Sequence, residues 1–151
     1  PLAESKIVKT GWTVVSFSSE EATGEGTSNG KVLHAIDDNI NSFWHSQWSG
    51  GTPPYPHWFI INMNQTVTIS RFECYRRQGN SGGPDKVKFY SSMDGQTWTD
   101  HGEYAFNRNV NTAQNYRISS NPVARYFKFE ATAGPNTFSH LGEIHVFGSA
   151  K

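Results

Sequence analysis

This sequence lacks net charge, disulfides, long apolar runs and helix-forming stretches, and each absence removes a class of function. Thirteen Lys and Arg offset thirteen Asp and Glu over 151 residues, so no bulk field draws the chain to a polyanion and nucleic acid is excluded as a partner. Cys74 is the single cysteine, which forbids an internal disulfide. It reads as a small buried hydrophobe in a strand. No apolar run approaches the roughly 20 residues of a membrane helix and no leader is visible, so membrane insertion has no segment to use and the compartment cannot be read from a targeting signal. Gly-x-Ser-x-Gly, His-Glu-x-x-His and phosphate-loop patterns are all missing. Glu20, Glu21 or Glu25 could supply one carboxylate of a glycosidase pair, but nothing marks a second.

Aromatics are plentiful instead, at 14% with five Trp, among frequent Gly, Asn, Ser and Thr. Short β-rich runs recur at 12–18, 58–63, 67–75, 87–91, 115–118, 126–131 and 143–147. Val87 and Phe89 alternate with Lys88 and Tyr90, and Phe127 and Phe129 flank Lys128, the period-two pattern of strands with one buried face. Turn signals separate the runs, among them Asn29 with Gly30, Asp94 with Gly95 and Gly134 with Pro135. The pattern predicts an all-β fold, an antiparallel sandwich or jelly roll, built as a single domain. Polar loops at 18–30, 78–85 and 132–139 are where such a scaffold carries function.

The densest chemistry lies between Ala35 and Trp48. Asp37, Asp38, Asn39, Asn41 and Ser42 make an oxygen-rich turn, followed at once by Phe43, Trp44, His45 and Trp48. Calcium takes six to eight oxygens in flexible geometry. Asp37 and the hydroxyl and carbonyl of Ser42 can supply some, but a second carboxylate must come from elsewhere. Asp38 tolerates a left-handed turn. Aromatics beside a few polar groups suit a pyranose, whose C–H face stacks while its hydroxyls are hydrogen-bonded. Trp44 reads as core, and Trp48 and His45 as candidates for the site.

This stretch resembles the discoidin-like domains, also called coagulation-factor type C domains, and within them carbohydrate-binding module family 32. Further matches follow in order: Pro56 to Met63, Ile69 to Gln78, Lys86 to Trp98 with its Ser91-x-x-Asp94-Gly95-x-x-Trp98, and Leu141 to Gly148. Together they cover about 10–148. The resemblance implies an eight-stranded jelly roll of the galactose-binding-domain type with its ligand loops at one end. It implies a structural calcium held by Asp37, Ser42 and Glu143 with carbonyls of His34, Asn39, Ser42 and Gly142. His45 and Trp48 match a sugar-binding His-x-x-Trp pair, Arg77 matches an arginine that ends a long strand, and Phe138 is a stacking platform. Glu25 falls where relatives place an acidic sugar contact, and Asn80 is a further loop donor.

The expectation is therefore a non-catalytic, monomeric binding module within a multidomain bacterial protein, extracellular, periplasmic or at the cell surface. It would target a parent glycoside hydrolase to glycans ending in galactose, N-acetylgalactosamine or N-acetylglucosamine. The competing expectation is lipid or protein adhesion of the discoidin type, which would require exposed aliphatic spikes with basic surroundings.

Overall fold

Val87 and Phe89 are fully buried while Lys88 and Tyr90 are not, and the same holds for Phe127 and Phe129 about Lys128. The computed structural model describes residues 4–150. In chain order the strands are β1 (Ser5–Lys6), β2 (Thr13–Phe17), β3 (Trp44–His45), β4 (His57–Tyr75), β5 (Lys86–Ser92), β6 (Thr99–Ala105), β7 (Gln114–Arg117), β8 (Val123–Ala133), β9 (His140–Leu141) and β10 (Glu143–Ala150). A single 3-10 turn covers Val32–Ala35, and no α-helix occurs among the described residues.

All strand ladders are antiparallel. The N-terminal half of β4 pairs with β2 and β8, and β8 continues through β5 to β6. The C-terminal half of β4 pairs with β10 and β7, and β10 with β1. The strand crosses between layers at a register shift between Asn62 and Val67, where Asn64 adopts φ 56° and its N–H donates to Asn62 Oδ1 at 2.8 Å. Asn is among the few residues that accept this conformation. The sequence patterning predicts two strands here, and the structure joins them into one bent strand.

The layers close on aromatics. Phe72 of β4 stacks on Phe89 of β5 at 4.5 Å between centroids, and Phe89 stacks on Phe127 at 5.4 Å. Trp44 is fully buried and meets Phe59 edge-on at 5.1 Å, in keeping with its reading as core. Cys74 is fully buried too, and burial drives its thiol pKa up. β6 is invisible to patterning because its sequence TDHGEYA is polar and mostly exposed. It is an edge strand whose Tyr104 packs against Phe72 at 5.4 Å.

The bend in β4 brings both its ends to the same end of the sandwich. His57, its first residue, donates from Nε2 to the Thr137 carbonyl at 2.7 Å. Tyr75, its last, accepts the N–H of Gly142 at 2.9 Å. The short β3–β9 ladder, Trp44 opposite Leu141 and His45 opposite His140, lies across this end and joins the 18–30, 45–56, 76–85 and 134–141 segments.

Candidate functional site

Asp37, Ser42 and Glu143 converge although 106 residues separate the first from the last in sequence. Ser42 Oγ contacts Asp37 Oδ2, lies 3.2 Å from the His34 carbonyl and 3.0 Å from the Asn39 carbonyl. One hydroxyl hydrogen cannot serve three acceptors, so this is a cluster of oxygens in want of positive charge. Asp38 does take a left-handed φ of 62°, and its N–H donates to Glu143 Oε2 at 2.9 Å. Glu143 is fully buried, and its other oxygen, Oε1, has no hydrogen-bond partner. Burial raises its pKa to about 8 despite the neighbouring Lys9. A buried carboxylate oxygen left unpaired beside such a cluster fits a hard cation. Gly142 is fixed by space: a Cβ there would sit 2.5 Å from the Arg76 carbonyl oxygen.

A neighbouring trio, Asp38, Glu143 and His145, also gathers its ligand atoms within 4.8 Å of one another. Its centre already holds a positive charge, the Lys9 ammonium, in contact with Glu143 Oε2 and 3.2 Å from Asp38 Oδ1. The oxygen cluster about Asp37 therefore suits a metal better than this trio. Lys9 escapes sequence reasoning because its carboxylate partner lies 134 residues away.

The loops at the same end depend on Glu21, which sequence reading left as one of three loop acids. It is almost fully buried. Its carboxylate accepts the backbone N–H groups of Trp48 at 2.9 Å, Ser49 at 2.8 Å and Gly24 at 2.8 Å, and the Ser49 hydroxyl at 2.6 Å. These bonds, the Ser49 hydroxyl first, hold its pKa well below the usual carboxylate range. Nothing in the sequence marks this role, since apart from the neighbouring Gly24 the partners Trp48 and Ser49 lie 27 and 28 residues away.

His45 is 4% exposed. Its ring stacks on Phe138 at 4.9 Å and 27° and lies 5.3 Å from His140. Nδ1 meets the Ser46 carbonyl at 2.7 Å, so Nδ1 carries the hydrogen and Nε2 is the acceptor. Burial holds the pKa below the ordinary imidazole value, which keeps the ring neutral. Sequence reading gave His45 as one half of a sugar-binding His-x-x-Trp pair. The structure leaves it only a ring edge, with its face occupied by Phe138.

Adjacent arginines divide their work. Arg76 is spent on structure, donating to Asn111 Oδ1 at 2.8 Å and the Arg108 carbonyl at 2.7 Å. Arg77 places its guanidinium over the Phe43 ring at 3.9 Å and makes no ion pair among the described residues, so its donors are available. Trp48 is 42% exposed, and its indole N–H is committed to Glu25 Oε2 at 2.9 Å. What Trp48 offers is therefore ring surface, and Glu25 acts partly as its brace. The edge of that ring sits tight against Gly24, where a Cβ would lie 2.3 Å away. Asn80 spends Oδ1 on the Gly82 N–H at 2.8 Å and keeps its amide N–H groups. Beneath these residues His140 is buried with neither ring nitrogen paired, and burial takes its pKa to about 3.

The resulting surface offers ring faces, one neutral acceptor and a set of guanidinium donors. A family model described as F5/8 type C domain matches residues 14–144. The C-terminal domain of a chitobiase from Bacteroides fragilis is 39% identical, with a TM-score of 0.90 over 97% of this chain and 99% of that one. The family 32 carbohydrate-binding module of Clostridium perfringens NanJ, solved in complex with galactose, is 26% identical, with a TM-score of 0.81 over 96% of this chain and 99% of that one. A sialidase from Micromonospora viridifaciens is 35% identical over 89 residues, which is 57% of this chain and 13% of that protein. A galactose oxidase from Gibberella zeae is 28% identical over 148 residues, 95% of this chain and 21% of that protein. The chain thus spans a small part of the curated relatives it matches.

Proposed function

The chain belongs to the F5/8 type C domain family, and from that premise we propose that it is a carbohydrate-binding module for glycans ending in galactose or N-acetylgalactosamine, with N-acetylglucosamine as the runner-up. One observation carries the reading. The His45 Nε2 acceptor, the uncommitted donors of Arg77 and the rings of Phe138 and Trp48 belong to segments that meet at one end of the sandwich. An axial 4-hydroxyl is both donor and acceptor, so it can give its hydrogen to a neutral imidazole and accept one from a guanidinium. The adjoining C–H face then lies on an aromatic ring. The galactose complex of the NanJ module supports the same choice.

The domain is non-catalytic. Glu21 is consumed by the loop and Glu25 by Trp48, so the acids of the first long loop do not form a free pair across a scissile bond. As a single module, monomeric and with its core over about 10–148, it would hold a tethered glycoside hydrolase near its glycan and raise the local substrate concentration. The setting we propose is a bacterial protein outside the cytoplasm, in the periplasm, at the cell surface or secreted.

Calcium would be held by the side chains of Asp37, Ser42 and Glu143 and by carbonyls of His34, Asn39, Ser42 and Gly142. Its role would be structural, fixing the turn that leads directly into Trp44 and His45. The adhesion alternative draws no support from the surface. Among the described residues the exposed large apolar side chains are Val8, Val15, Phe17, Leu33, Trp48, Met93 and Val123, and of these only Trp48 belongs to the site loops. A glycan array probed with and without chelator tests the reading. Terminal β-galactosides or N-acetylhexosaminides should be retained, more weakly under chelation. Binding confined to anionic phospholipid vesicles would replace this function with the other.

A further inference from the structure

Phe138 has a second neighbour besides His45. It forms one wall of an open groove of about 670 Å³ whose other walls are Thr52, Pro54, Tyr55, Pro135, Asn136 and Thr137. The groove is rigidly built. The Tyr55 hydroxyl donates to the Phe138 carbonyl at 3.2 Å, and His57 donates to the Thr137 carbonyl at 2.7 Å, so a strand start holds the 134–139 loop at two points. Gly134 makes room for this tie, since a Cβ there would lie 2.2 Å from Tyr55 Oη. Walls anchored this way need no ordering when a ligand arrives.

We propose that this groove is a second sugar subsite, so that the module recognises a disaccharide or longer glycan whose penultimate unit lies between Tyr55 and Asn136. The inference rests on the proposed sugar site, because Phe138 links the two: its ring stacks on His45 and the same residue lines the groove. The lining specifies the ligand. Pro54 and the Tyr55 ring present apolar surface suited to a pyranose C–H face, while Thr52, Asn136 and Thr137 offer hydroxyl and amide groups for its rim. Asn136 makes only one long bond, from Nδ2 to the Gly82 carbonyl at 3.5 Å, so its Oδ1 is free to accept. No lysine, arginine or histidine lines the groove, so no cation is there to pair with an acidic sugar. The subsite is therefore built for a neutral hexose or N-acetylhexosamine and against a sialylated or sulfated unit.

Isothermal titration of the chain with matched pairs tests this: methyl β-galactoside against N-acetyllactosamine, and N-acetylglucosamine against N,N′-diacetylchitobiose. One or two added hydrogen bonds correspond to a gain of about five- to tenfold for the disaccharide of the preferred pair. The doubly substituted Thr52→Ala, Asn136→Ala variant changes only exposed side chains. It should bring the disaccharide down to the affinity of the monosaccharide, and leave the monosaccharide unchanged. Equal affinity of wild type for both members of a pair, or an equal loss of both in the variant, overturns the subsite while leaving the primary site intact. If neither member of either pair binds, the primary reading fails and the subsite fails with it.

Discussion

Glu21 Oε1 accepts the backbone N–H of Trp48 at 2.9 Å across 27 residues of chain. A buried carboxylate thereby fixes the backbone that presents the one exposed tryptophan of the site. Glu21→Ala leaves the N–H groups of Trp48, Ser49 and Gly24 without this acceptor, and stranding such groups costs about 1–3 kcal/mol. The variant should melt earlier and bind sugar more weakly, whereas Glu25→Gln should disturb only the indole contact. Thermal denaturation alongside titration of both variants checks this. Unchanged melting of Glu21→Ala would show that the loop is held by other means.

Arg77→Ala should erase measurable sugar binding with little loss of stability. Removing a charged hydrogen-bond donor costs roughly 1.5–3 kcal/mol, more than a weak module can lose, while the half-buried stack over the buried Phe43 contributes about 0.5–2 kcal/mol to the fold. Arg77→Lys should also bind poorly, since an ammonium does not reproduce the planar fork. His45→Ala behaves differently. It should abolish binding and also lower the melting point, because the ring is buried between Phe138 and His140. Affinity and melting temperature measured on the same preparations separate the two.

Calcium should stabilise the chain, and a chelator should reverse the effect. Saturation at about 100 Kd adds roughly 2.7 kcal/mol to a protein that binds only when folded. Asp37→Ala should remove this response because it deletes the carboxylate facing Ser42. Melting curves of wild type with calcium and with chelator that superimpose would show that the oxygen cluster holds no ion.

Acid should weaken the fold through His140. Its folded pKa of about 3 lies below the ordinary value near 6.5, so below that value the unfolded chain binds a proton that the folded chain refuses. The contribution of this residue is complete above about pH 6.5 and falls as the pH drops below it, by about 2 kcal/mol at pH 5. Denaturant midpoints of wild type and His140→Asn at pH 8 and pH 5 separate this residue from Glu143, whose raised pKa acts in the opposite direction: on acidification the wild type should lose more stability, or gain less, than the variant.

Much of this was legible from residues alone where the signal is local. The alternation about Lys88 and Lys128 gave the inner strands, and the Asp37 turn gave the oxygen cluster that Ser42 completes. β6 was hidden because an edge strand with exposed faces carries no hydrophobic period. The split of β4 was misread because the Asn62 to Val67 segment looks like a turn and is a bend within one strand. Glu21 and Lys9 were hidden for another reason: each acts on groups far away in sequence, and no local pattern records such a partnership. The burial of His45 and the bond from Trp48 to Glu25 follow from how loops stack, which spacing does not encode.

The most direct test of the sugar site is a heteronuclear NMR titration of the labelled chain with methyl β-galactoside and with N-acetylglucosamine. Binding should move the resonances of His45, Trp48, Arg77 and Phe138 and their loop neighbours together, and leave β6 and the far ends of the strands unmoved. Spectra that stay unchanged with both sugars at high millimolar concentration, or shifts confined to another surface, would contradict the assignment of this end of the sandwich as the glycan site.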